Sequence, residues 1–242
     1  MDSKKNVVVL TSGLAGSSVL AALLARAGYW TGESTVKKRD YNTWENQELV
    51  RLNRKILEDV GFDQDWTMTF DRSYVDELYS GFDGLDESLY ADFAKQCNER
   101  APWVWKDPRL WLTIRFWARF IDLSNTAFLL IRREPLQAWI STLNRRQIQT
   151  FAHCRKYRDG IYNTIVEFVR GNNLTYYEIV YEDLMVTPNR VIDGINQCLN
   201  TELMAEDFLA VFRGKAFRKQ HGALDLLKAL AIYLRNHNER LK

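Results

Sequence analysis

Three short segments of this 242-residue chain carry residue types that could hold an anion. The first is Thr11-Ser12-Gly13-Leu14-Ala15-Gly16-Ser17-Ser18. Small residues let backbone N–H groups converge on one point, and a helix starting at Ser17 would add the partial positive charge of its N-terminus. Ser17 and Ser18 add hydroxyl donors. A nucleotide-hydrolysing loop of the Walker type needs Gly, four residues, then Gly-Lys-Ser/Thr. Aligned on Gly16, Thr11 stands at the first glycine and Ser17 at the lysine, so the charged residue is missing. The second segment is Ile131-Arg132-Arg133-Glu134-Pro135, with Ser141 eight residues after Arg133. A guanidinium fork suits a phosphate held by two parallel hydrogen bonds. The third is Lys106-Asp107-Pro108-Arg109. Each has a plainer alternative: a tight turn, a solvated arginine pair, and a lysine–aspartate ion pair with Asp107 capping a helix.

The elements that must position these segments follow from hydrophobic patterning. Val7 to Leu10 reads as a buried strand. Val19, Leu20, Leu23, Leu24 and Ala27 line one face of the helix after the loop, which Gly28 would stop. Helices are expected over Trp44 to Val60, Asp86 to Arg100, Leu110 to Ile121, Tyr157 to Arg170, Pro188 to Leu199, Glu206 to Phe212 and Ala223 to Leu241. Another starts near Pro135. Strands are expected at Trp103 to Lys106, Thr126 to Ile131 and Leu174 to Val180. This alternation predicts an α/β fold, a central mostly parallel sheet with helices on both faces, in one domain spanning residues 1–242. Ligands bind such sheets beyond the carboxyl ends of the strands, where all three segments fall.

Composition narrows the function classes. Lys+Arg total 33 against 31 Asp+Glu, so the chain as a whole is no general nucleic-acid or membrane-surface binder. Three scattered cysteines without a C-x-x-C suit a reducing compartment. The three histidines lack metal-ligand spacing, so no metal site is expected. No apolar run approaches the roughly 18 residues of a membrane span, and Met1 to Asn6 lacks a signal-peptide pattern. The expectation is a cytoplasmic protein.

Taken together, the loop and the Arg133–Ser141 pair resemble the sulfotransferases that use 3′-phosphoadenosine 5′-phosphosulfate (PAPS). In that family a strand leads into a basic residue, Ser-Gly-Thr-Ser/Thr and a helix; Ala15-Gly16-Ser17-Ser18 takes this place. An arginine at a strand end with a serine eight residues on holds the 3′-phosphate there, as Arg133 and Ser141 are spaced here. Asn42-Thr43-Trp44-Glu45-Asn46 is similar to the segment opening the second helix of bacterial members. Lys106-Asp107-Pro108-Arg109 resembles a lysine motif of bacterial and tyrosylprotein sulfotransferases, and Tyr181-Glu182-Asp183-Leu184 a common segment. The chain departs from the pattern at Leu14, where the family has its basic residue, and at Ala15.

The resemblance implies a P-loop-type architecture and sulfuryl transfer from PAPS to a hydroxyl or amine of a small molecule, sugar or peptide, leaving adenosine 3′,5′-bisphosphate. It implies donor binding by Gly13, Leu14, Ala15, Gly16, Ser17, Ser18, Arg133 and Ser141. Lys106 would supply the added charge, with Lys37-Lys38-Arg39 as another source. Glu33, after Gly32, is the candidate base, and Asp107 its rival. Trp30 and Trp44 could wall the acceptor, while Trp103, Trp105, Trp111 and Trp117 pack the core. Glu182 and Asp183 hold loops, and Arg213, Lys215, Arg218 and Lys219 could fold over the donor. The acceptor is not legible. Two other readings stay open at this point: a P-loop kinase, and a nucleotide-binding relative without catalysis.

Overall fold

The computed structural model describes residues 4–39, 41–63, 68–211 and 221–239. The strands are β1 (Asn6–Thr11), β2 (Thr35–Lys37), β3 (Asn42–Asn46), β4 (Val104–Lys106), β5 (Thr126–Arg132) and β6 (Tyr176–Val180). The helices are α1 (Ser17–Arg26), α2 (Gln47–Asp59), α3 (Arg72–Gly81), α4 (Ser88–Asn98), α5 (Leu110–Trp117), α6 (Pro135–Asn144), α7 (Phe151–Gly171), α8 (Asp183–Val186), α9 (Pro188–Leu199), α10 (Ala205–Val211) and α11 (Ala223–Arg235).

The main sheet has the order β4-β1-β5-β6, and every neighbouring pair is parallel. β4 lies on one side of β1 and β5 on the other, so the direction of winding reverses at β1, where such sheets bind ligands. Strand alternation assigns the two faces. Val7, Val9, Val104, Ala127, Leu129 and Ile131 pack with α1 and α9. Val8, Leu10, Trp103, Trp105, Phe128 and Leu130 pack with α2, α5 and α7. Helices therefore cover both faces, as expected.

The second face is rich in aromatic rings. Trp103 and Trp105 stack at 4.5 Å between ring centroids, and Trp117 meets Trp105 edge-on at 5.0 Å. These three indoles are fully buried, and Trp111 nearly so, in keeping with a packing role.

Several elements differ from the sequence reading: α7 begins at Phe151 rather than Tyr157, α5 ends at Trp117 rather than Ile121, and α8 is a further helix. The helix expected from Trp44 begins at Gln47, because residues 42–46 pair with β2 as an antiparallel ribbon. Trp44 sits in the left-handed region (φ 59°), and Asn46 caps α2 by accepting from the Glu48 and Leu49 N–H groups. The helix α3 has no counterpart in the sequence reading; only Val75 and Leu78 of it are buried, so its periodic signal is weak. In α11 Leu224, Leu227, Ala231 and Leu234, whose helical spacing predicts a buried face, are exposed, while Leu226, Ala229, Leu230 and Tyr233 pack on α6. No helix among the described residues is long and apolar enough to cross a membrane. Arg213, Lys215, Arg218 and Lys219 lie outside the described residues.

Candidate active site

The carboxyl ends of β1, β4 and β5 open into one cavity of about 390 Å³. Gly13 to Ser18, Lys38, Tyr41, Thr43, Glu45, Lys106, Arg133, Ser141, Tyr181, His221 and Lys228 are in its wall. Besides His221, the described wall carries five cationic side chains, with Arg145 the fifth, against the single carboxylate of Glu45. Such a field favours a polyanion.

The loop after β1 owes its shape to left-handed backbone at Gly13 (φ 77°), Leu14 (φ 51°) and Gly16 (φ 81°). Thr11 Oγ1 accepts from the Gly13 N–H at 3.1 Å and tightens the turn. The N–H groups of Leu14 to Ser18 find no acceptor among the described residues and stand at the start of α1. They are the free donors of a helix N-terminus.

Lys106, the last residue of β4, is buried. Its Nζ donates to Ser18 Oγ at 3.2 Å and to the Thr43 carbonyl at 3.3 Å, and it forms a short ion pair with Glu45. The pair offsets the cost of burying either charge. Glu45 is delivered by the β2–β3 ribbon: Thr43 Oγ1 donates to the Val36 carbonyl at 2.7 Å, and Asn42 Oδ1 accepts from the Trp44 N–H at 2.9 Å.

Arg133 leaves the end of β5 and is braced from behind. Its Nε donates to Glu182 Oε1 at 3.0 Å, while Glu182 Oε2 accepts from the Glu134 N–H. Arg133 Nη1 donates to Ser141 Oγ at 2.6 Å, and Ser141 Oγ lies 2.8 Å from His221 Nε2. The His221 backbone is tied to Gln137 by two hydrogen bonds, and its Nδ1 faces Asp225 at 3.4 Å. Tyr181 lies beneath the Arg133 guanidinium, 5.3 Å from ring centroid to Cζ. Burial pushes its hydroxyl up to about 12.

Not every expected residue reaches this cavity. Glu33 is exposed, pairs with Arg100 at 3.2 Å and is absent from the wall, so it is withdrawn as the base. Asp107 is withdrawn too. Its side chain has no exposed surface and accepts from Asn53 Nδ2 at 2.9 Å and the Arg109 N–H at 3.0 Å. Burial pushes its carboxyl above the ordinary range, against the pull of Arg109 and of these hydrogen bonds. Asp107 therefore has a structural role, closing the turn before α5 and tying it to α2. Trp30 and Trp44 are not in the wall; Trp30 bridges Trp103. Of the three basic residues at 37–39, Lys38 is. Glu182 braces Arg133 as described, and Asp183 pairs with Arg190.

Two wall residues, Glu45 and His221, escape sequence reasoning as functional candidates. Glu45 lies inside the Asn42–Asn46 motif, where the pattern predicts the start of a helix rather than a ribbon. His221 is isolated in sequence, and its neighbours become visible only when α11 folds against α6.

No protein-family model matches the sequence, and no curated protein matches it. Solved structures do match. The sulfotransferase domain of the Synechococcus PCC 7002 olefin synthase aligns over 94% of this chain and 85% of its own, with a TM-score of 0.54 at 16% identity. This chain has the sulfotransferase fold. The same fold relates it to the sulfotransferase domain of the curacin biosynthetic pathway, over 93% of this chain and 82% of that one (TM-score 0.52, 16% identity). Sulfotransferase STF1 from Mycobacterium tuberculosis H37Rv aligns over 96% of this chain and 77% of its own (TM-score 0.53, 14% identity). At such identities the sulfotransferase fold is what is shared, and the chemistry rests on the residues of the cavity.

Proposed function

We propose that this chain is a sulfotransferase that moves a sulfuryl group from PAPS to a hydroxyl or amine acceptor. The observation that carries this reading is that one cavity holds the anion loop, the Lys106–Glu45 pair and the Arg133–Ser141–His221 chain of hydrogen bonds. Its excess of cations suits a ligand with a phosphosulfate and a second phosphate.

In this reading the free N–H groups of the loop and the hydroxyls of Ser17 and Ser18 hold the 5′-phosphosulfate. Arg133, Ser141 and His221 hold the 3′-phosphate, which separates this donor from ordinary adenine nucleotides. The acceptor oxygen or nitrogen attacks sulfur, the bond from sulfur to the bridging phosphate oxygen breaks, and that electron pair stays on adenosine 3′,5′-bisphosphate. Lys106 stabilises the charge growing on the leaving phosphate, the kind of preorganised donor that lowers a barrier most. Glu45 takes the acceptor proton as general base and returns it to solvent. Lys38 adds charge that Leu14 does not provide.

Transfer of labelled sulfate from PAPS to a panel of hydroxyl and amine acceptors tests the reading. Turnover on at least one acceptor class, unchanged by a chelator, is expected, because the transferred group carries little charge. Phosphoryl transfer from ATP that requires magnesium would replace it with a kinase.

A further inference from the structure

Leu14 removes the cation that would stand at the rim of the loop, yet a cation lies behind it. Arg158 of α7 is only 8% exposed, and its Nη1 donates to the Gly13 carbonyl at 3.1 Å. Its Nη2 is buried and has no acceptor; among the described residues no carboxylate forms an ion pair with Arg158, and Glu182, which pairs with Arg133, favours its charge only from a distance. Arg158 lines a small cavity with Thr11, Ser12 and Arg133, whereas Gly13 and Leu14 line the large one, and Arg133 borders both. A buried guanidinium held by one neutral carbonyl is costly, and replacing such a group by an apolar one is often neutral or stabilising. Packing alone gives no reason for this charge.

The geometry of the peptide supplies one. The Gly13–Leu14 bond is trans, so its C=O and N–H point in opposite directions. With the carbonyl turned to Arg158, the Leu14 N–H points away from it, in a loop that lines the large cavity. We propose that Arg158 is a positioning residue for the donor's 5′ end, which fixes the Gly13–Leu14 peptide with its N–H toward the bound anion and supplies positive charge from behind the loop. This rests on the reading of the loop as the 5′-phosphosulfate site. Arg158 touches neither donor nor acceptor and acts through the loop backbone. The buried charge gains its counter-ion when the anion arrives, so ligand binding and stability are linked through it.

Calorimetry with adenosine 3′,5′-bisphosphate and adenosine 3′-monophosphate, on wild type, Arg158→Met and Arg158→Lys, tests this. In Arg158→Met the bisphosphate should bind at least about tenfold more weakly, the scale of one charged hydrogen bond, with the 3′-monophosphate within about twofold of wild type. Arg158→Lys should recover part of the loss. Without ligand, Arg158→Met should melt no lower than wild type, and added pyrophosphate should raise its melting temperature less. If Arg158→Met does not fold, Arg158→Gln carries the same expectation. Unchanged affinity for both nucleotides, or an equal fall for both, overturns the proposal, the second because it marks a general disturbance of the site. A wild type that does not prefer the bisphosphate to the 3′-monophosphate overturns the reading of the loop itself, and this proposal with it.

Discussion

The ring of Tyr181 occupies the space that a side chain at Gly16 would need. A Cβ at Gly16 would lie 2.1 Å from Tyr181 Cδ2, and the residue holds φ 81°. Position 16 therefore demands glycine twice, for conformation and for room. Tyr181 also lies under Arg133, so one ring packs against both the loop and the arginine. Gly16→Ala should destabilise the chain by about 1–3 kcal/mol, through backbone strain and overpacking, and should abolish nucleotide binding. Thermal melts and calorimetry check this; an intact affinity would show that the loop is not the binding element.

In the proposed reaction the Lys106–Glu45 pair separates chemistry from binding. Lys106→Ala should bind adenosine 3′,5′-bisphosphate within about tenfold of wild type but lose on the order of a hundredfold or more in turnover. Glu45→Gln, which keeps the shape and removes the base, should lower kcat with little change in donor affinity. Near-wild-type turnover in Lys106→Ala would move the role to Lys38.

Arg133 and His221 should decide which nucleotide is preferred. Wild type is expected to bind adenosine 3′,5′-bisphosphate well and ADP poorly. Loss of a charged hydrogen bond costs roughly 1.5–3 kcal/mol, about ten- to hundredfold in affinity. Arg133→Ala should lose that much with the bisphosphate and almost nothing with ADP. His221→Ala should lose less, in the same direction. Equal affinity of wild type for the two nucleotides would refute the assignment.

Alkaline pH should weaken the fold. Burial pushes the Cys97 thiol from its ordinary 9.0 up to about 12, and the hydroxyls of Tyr79 and Tyr181 from 10.0 to about 12. The folded chain keeps these groups neutral while the unfolded chain loses their protons from about pH 9 upward. Their contribution to stability is therefore complete below pH 9 and is lost as pH rises toward 12. Melting temperatures across pH 7 to 11 should be flat at first and then fall. Cys97→Ser should alter that slope, and a slope that begins below pH 8 would point to other groups.

Much of the loop and of the Arg133–Ser141 pair is legible in the sequence. Strand, small-residue loop and helix are adjacent along the chain, so the Thr11–Ser18 segment declares itself through local rules. Arg133 and Ser141 are joined by one turn into α6, and eight residues fix their approach. The Lys106–Glu45 pair is not legible in this way. Glu45 and Lys106 are separated by 61 positions and meet only because the β2–β3 ribbon folds over the end of β4.

The neighbours Lys106 and Asp107 show where sequence stops and tertiary structure takes over. Their types and their place after Trp105 follow from the chain, as does the parallel sheet that carries them. Successive residues of an extended strand point to opposite faces. Lys106 shares the α1 side with Val104 and meets Ser18, whereas Asp107 turns to the other face and meets Asn53 of α2. Sequence determined that charged groups would stand at this strand end and that the loop beside them would offer free N–H groups. Only the packing of helices on two different faces decided that the lysine enters the cavity and the aspartate serves the core. That choice depends on which helix covers which face, a long-range contact that no local spacing encodes.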